Sequence, residues 1–138
     1  MSPNPTDLTF YYAVWQKKCW KCKRDITVAI NVEGWSFVPG GVGELWRQEM
    51  PDWLLKYLRS LGANIHYRKT SMVKEGYYAN VCPYCNAVQG DWFLNEELIN
   101  YLYEEKPQNF KIVEIRKEGI VRQFNSVREA DAYYNRAK

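Results

Sequence analysis

Residues 8–32 read LTFYYAVWQKKCWKCKRDITVAINV, and their order decides the fold. LTFYYAVWQ (8–16) is apolar, aromatic and free of Gly and Pro, so it reads as a strand. ITVAINV (26–32) is rich in β-branched residues and reads as a second strand. Between them stands Cys19-Trp20-Lys21-Cys22, flanked by Lys17, Lys18, Lys23 and Arg24. Strand, cysteine pair, strand is the outline of a hairpin whose tip grips a metal ion.

A second pair repeats the pattern. GYYANV (76–81) reads as a strand entering Cys82-Pro83-Tyr84-Cys85. Asn86 follows, a residue type that tolerates the left-handed conformation a tight knuckle needs. Two residues between cysteines let one turn supply two ligands, and zinc favours four thiolates at about 2.3 Å in a tetrahedron. Cys19, Cys22, Cys82 and Cys85 are therefore expected to form one closed, structural Zn2+ site. The competing reading of C-x-x-C is a redox dithiol, which is expected at a helix start; neither pair has that setting.

CWKC and CPYC between short strands resemble the two knuckles of a zinc-ribbon protein. The run YYANVCPYCNAVQGDWFLNEE is also similar to a segment of small uncharacterised bacterial and phage proteins. The resemblance covers residues 9–32 and 76–97, and the four cysteines match the ligand positions. It implies a fold and a metal but no activity, because zinc ribbons serve as nucleic-acid readers, protein adaptors and plain struts.

Working outward, EGWSFVPGGVGE (33–44) is a glycine-rich loop, and a helix is expected at about 51–61, opened by Pro51 and stopped by Gly62. NIHYRK (64–69) reads as a short strand, and Asn95 is expected to cap a helix over about 96–105. Beyond Pro107 come strand FKIVEIR, turn KEG, strand IVRQF and a helix from about 127, where Ser126 and Glu129 form a capping-box pattern. The prediction is an α+β protein with a zinc-ribbon-like antiparallel β core. It comprises a domain over 1–107 with a helix-bearing insertion at 33–75, and a ββα tail over 108–138 docked on the main body.

Composition excludes several classes. With 46% apolar and 25% charged residues the chain is neither disordered nor nucleic-acid-coating, and its net charge is only +3. The N-terminal MSPNPTDLTF lacks a basic n-region and an apolar h-region, and runs such as ITVAINV are too short to cross a bilayer, so the expected compartment is the cytoplasm, with no membrane partner. The charge is uneven: residues 1–30 hold five Lys/Arg against two acids, whereas residues 76–107 hold one against five.

Two readings of the basic knuckle stand side by side. Lys17, Lys18, Lys21, Lys23 and Arg24 can balance the net −2 of a four-thiolate zinc site. They can instead meet phosphates while Trp20 stacks on a base, with Arg116, Lys117, Arg122 and Arg128 extending the surface. A protein-binding adaptor or inhibitor using Trp35, Phe37 and Trp46 is the alternative. Catalysis finds little support. His66 is the one histidine and no phosphate-binding loop or nucleophile elbow is present. Glu44, Glu49 and Asp52 holding Mg2+ as in a nuclease is a third reading.

Overall fold

The computed structural model describes residues 8–39, 50–69, 76–103 and 109–136. In chain order these form β1 (Phe10–Lys18), β2 (Asp25–Asn31), α1 (Asp52–Ser60), β3 (Ile65–Arg68), β4 (Tyr77–Val81), β5 (Val88–Gln89), α2 (Asp91–Tyr103), β6 (Lys111–Arg116), β7 (Gly119–Phe124) and α3 (Val127–Arg136). Two antiparallel sheets result, one ordered β2-β1-β6-β7 and one ordered β3-β4-β5. The fold is α+β, with a cysteine knuckle on the β1–β2 hairpin, another between β4 and β5, and a C-terminal ββα unit whose first strand pairs with β1. Among the described residues no helix is long and apolar enough to cross a membrane.

Strand β1 lacks polar alternation because both of its faces are covered. Tyr11, Ala13 and Trp15 point into a core shared with Ile26, Val28 and Ile30 of β2, Leu94 and Leu98 of α2, and Ala130 of α3. Phe10, Tyr12 and Val14 point the other way, into a core with Leu54 and Leu58 of α1, Ile65 of β3 and Val113 and Ile115 of β6. The four-stranded sheet thus lies between α1 on one side and α2 and α3 on the other, and a two-sided apolar strand is the signature of such burial.

The smaller sheet docks on the free edge of β2. The side-chain amide of Asn80 receives the Ala29 N–H at 2.9 Å and donates to the Ala29 carbonyl at 2.8 Å. Asn80 is only 3% exposed, so it satisfies an edge donor and acceptor that no further strand reaches. An isolated parallel bridge between Thr27 and Ala63 adds a second tie. Gly62 makes that approach possible. It ends α1 at φ +104°, and a Cβ there would stand 3.2 Å from Thr27 Oγ1.

Helix α2 begins earlier than the sequence suggests. It starts at Asp91, not after Asn95, and Asn95 lies inside it with its side-chain amide donating to the Asp91 carbonyl at 2.9 Å. The strand-to-helix break falls at Gly90, directly after β5. The capping box at α3 does form: Ser126 Oγ accepts the Glu129 N–H at 3.1 Å, while the Glu129 carboxylate reaches back to the Asn125 N–H at 2.8 Å.

Asn80→Ala removes both partners of Ala29 at a buried edge. It should cost about 2–4 kcal/mol, read as a lowered denaturation midpoint with an unchanged urea m-value. Retention of full stability would show that the two sheets are held elsewhere.

Candidate metal centre and its surrounding surface

The two knuckles are built alike from different residues. In the first, the Cys19 N–H donates to the Arg24 carbonyl at 2.9 Å and the Lys23 N–H to the Cys19 carbonyl at 3.0 Å. In the second, the Cys82 N–H donates to Ala87 O and the Asn86 N–H to Cys82 O, both at 2.9 Å. The residue after each second cysteine is left-handed, with φ 67° at Lys23 and 66° at Asn86. Each turn also aims an amide at its own first sulfur: Lys21 N–H to Cys19 Sγ and Tyr84 N–H to Cys82 Sγ, both 3.4 Å.

The four sulfurs all lie within 4.8 Å of one another, and Cys19–Cys85 and Cys22–Cys82 stand 3.6 Å apart. A tetrahedral ion with metal–sulfur bonds near 2.3 Å sets its sulfurs about 3.8 Å apart, so the spacing suits coordination, whereas a disulfide needs about 2.05 Å. Gln89, 1% exposed on β5, donates to Cys19 Sγ at 3.4 Å and to the Ala87 carbonyl at 3.1 Å. It is an outer partner of the kind that orients metal ligands. Nothing in the sequence singled it out except its place on the strand leaving the second knuckle.

The amides act on the sulfurs' acidity. Burial opposes ionisation of Cys19, but the N–H groups of Cys22 and Lys21 and the neighbouring thiols outweigh it and bring the thiol down to about 6. At Cys85 the Ala87 N–H favours the thiolate, yet burial and the sulfurs of Cys19, Cys82 and Cys22 push it up to about 11. Cys19 ionises readily and Cys85 then resists, so holding the sulfurs together as thiolates calls for a cation. Among the described residues, these cysteines are the group of His, Cys, Asp and Glu side chains placed to share one ion.

The five cations of the first knuckle divide. Lys17 is turned inward to Glu97 of α2 at 2.5 Å, where Trp15 Nε1 and the Tyr101 hydroxyl also donate, at 3.3 and 3.2 Å. Lys18 pairs with Asp25 at 2.9 Å. Lys23 reaches the Trp20 carbonyl at 2.6 Å, and the Arg24 guanidinium lies 4.8 Å from the centre of the Tyr84 ring. Lys21 is exposed at the tip. The donors on the sulfurs described above are backbone and glutamine amides.

Three of the C-terminal cations are placed elsewhere. Phe10 pairs with Ile115, so Arg116 lies beyond the start of β1, while the knuckle follows its end at Lys18. Nine residues of strand separate them, about 30 Å. Arg116 and Arg122 both bind buried Glu114 at 3.0 Å, and Tyr134 donates to the same carboxylate at 2.5 Å. Lys117 sits in the β6–β7 turn, where its carbonyl accepts from Tyr57 at 2.7 Å, and Arg128 is exposed in the first turn of α3. Arg116, Lys117 and Arg122 therefore do not continue the knuckle's surface.

Of the loop aromatics, Trp35 and Phe37 pack on each other at 5.9 Å, and Phe37 is 2% exposed; Trp46 lies outside the described residues. The exposed rings are others: Trp20 and Tyr84 on the knuckles, Tyr67 on β3, Tyr133 on α3, and Trp92 and Phe93 at the start of α2, joined farther along by Ile99. His66 sits between Asn64 Oδ1 (2.9 Å) and Arg59 (3.4 Å), and burial with Arg59 and Arg68 holds it below its ordinary value. Asp52 opens α1, while Glu44 and Glu49 lie outside the described residues.

No protein-family model, no curated protein and no solved structure matches this chain.

Cys82→Ser should abolish stoichiometric metal binding and cost more than ~4 kcal/mol, both sheets unfolding together because the site bridges them. Ligands must be deprotonated, so acid should release the ion. Retention, followed by a colorimetric chelator, should hold at neutral pH and fall progressively in acid, as protons compete with the ion for the sulfurs.

Proposed function

We propose that the four cysteines hold zinc as a closed structural site, and that the surface this site ties together binds nucleic acid without catalysis. A d10 ion with no geometric demand of its own suits four converging sulfurs, and a fully sulfur-ligated ion keeps no position for a substrate. Its chemistry here is cross-linking, and the chain's own side chains do the binding.

The observation that carries the reading is the grouping around the tips. Lys21, Lys23 and Arg24 surround exposed Trp20, and Tyr84 of the second knuckle stands under Arg24. Arg68 of β3 adds a fourth cation beside them, its guanidinium donating to Asn86 Oδ1 at 3.1 Å. Lys17 and Lys18 are neutralised by carboxylates, so the cations offered to phosphate are fewer than the sequence suggests but sit with aromatic rings on a rigid base.

A protein-docking reading draws on a different face. Trp92, Phe93 and Ile99 of α2 are 67%, 64% and 45% exposed, an apolar grouping of the type that marks interaction sites.

The two readings separate by salt. Nucleic-acid affinity should fall roughly tenfold or more between 50 and 200 mM salt, and Lys21→Ala with Lys23→Ala and Arg24→Ala should flatten the slope of log K against log[salt] by about 2. Binding that ignores salt and these changes, yet is lost with Trp92→Glu and Phe93→Glu, would assign the function to the α2 face.

A further inference from the structure

We propose that the two knuckles form one stacking platform for single-stranded nucleic acid, with neighbouring bases seated on Trp20 and Tyr84; the proposal rests on the nucleic-acid reading above. Both rings are more than half exposed, 57% for Trp20 and 58% for Tyr84. Each is nevertheless fixed, and each is fixed by the opposite knuckle. The Trp20 indole N–H, from the first knuckle, donates at 2.8 Å to the Val88 carbonyl on the strand leaving the second. Arg24, from the first, lies over the ring of Tyr84, from the second, at 4.8 Å.

An indole held by its N–H edge keeps its faces open, and an exposed tyrosine with a guanidinium over one side keeps the other. Rings immobilised before binding lose little conformational entropy when a base settles on them. The shared sulfur cluster fixes the spacing between the two knuckles, so the two seats move as one body.

A duplex suits this surface poorly. Its bases are already stacked on one another, so exposed rings gain nothing from it, whereas an unpaired base can be splayed onto an aromatic face. Reading a major groove calls for an element that fits it, usually a helix. The helix beside the knuckles, α2, begins with Asp91 and carries Glu96 on its exposed surface, in the segment where acids outnumber bases five to one. A helix surface bearing carboxylates such as Glu96 is a poor partner for a second phosphate backbone. Lys21, Lys23, Arg24 and Arg68 supply charge for a few phosphates, a short length of one strand.

The test is fluorescence anisotropy with labelled twelve-nucleotide single strands of DNA and RNA and a hairpin duplex of matching sequence, at fixed low salt, on metal-loaded protein. Single strands should bind at least tenfold tighter than the duplex. Trp20→Ala and Tyr84→Ala should each weaken single-strand binding by about tenfold or more and leave duplex binding nearly unchanged, while Trp20→Phe, which keeps a ring but loses its N–H anchor, should fall between Trp20→Ala and wild type. Metal content and unfolding midpoint, measured on each variant, confirm that the knuckles remain intact. Equal binding of duplex and single strand, or ring variants that bind like wild type while the Lys21/Lys23/Arg24 variant does not, would overturn the platform and leave nucleic-acid binding standing. No binding of any strand at low salt would overturn both.

Discussion

Four sulfurs within 4.8 Å of one another join the tip of a four-stranded sheet to the tip of a three-stranded one. The sheets share no strand; away from the knuckles the Asn80 amide on Ala29 and a bridge at Thr27 tie them, and at the knuckles Trp20 bonds Val88 and Gln89 bonds Cys19. Those polar ties and the core around Phe10, Tyr12 and Ile65 fix the angle of the smaller sheet. The sulfurs then fix its reach. Four thiolates gathered at the junction would repel one another, so an ion held there would draw the two tips together, and every surface feature assembled from both knuckles depends on that junction.

The acid–base character of the first knuckle follows from what surrounds it. Helix α2 packs Leu94 and Leu98 against the same core as Trp15, which brings Glu97 within reach of Lys17, the Trp15 indole and the Tyr101 hydroxyl. One lysine is thereby spent on fastening a helix. The sulfurs draw their hydrogen bonds from amides: two backbone N–H groups fixed by the turns, which carry no side-chain entropy cost, and the buried Gln89 side chain. The remaining cations are left facing solvent, where flexible charges are useful for long-range attraction and contribute little to the fold.

Much of this was legible in the chain and some was not, for identifiable reasons. The cysteine pairs, the strands on either side of them and the Ser126–Glu129 box depend on local chemistry, and local chemistry is written in adjacent residues. Asn86 is legible as a left-handed residue; Lys23, its counterpart, is not, because lysine takes φ 67° only where the knuckle's hydrogen bonds impose it. The start of α2 was misplaced because Asn95 before two glutamates imitates a cap, while Asp91 after Gly90 starts the helix one turn earlier. That shift also left Trp92 and Phe93, exposed on the first turn of α2, outside the expected helix. The fate of Arg116 and Arg122 required the β6–β7 register that sets Arg122 opposite Glu114, a long-range pairing that residue types do not announce.

The likeness of the two knuckles bears on where function resides. Both use the same carbonyl acceptors, the same amide-to-sulfur bonds and the same left-handed exit, yet one contains Trp20 and Lys21 and the other Pro83 and Tyr84. The turn therefore places no demand on the two side chains between its cysteines, since only their backbones are engaged. Positions released from structural duty and projecting from a cross-linked base can carry large exposed rings at small cost to stability, provided something else holds the rings still. Here each ring is held from across the junction, Trp20 by Val88 O and Tyr84 by Arg24. A single knuckle can provide the ring but not its anchor. The pair, once brought together by the sulfurs, provides both, and so the cysteine cluster defines a surface as well as a fold.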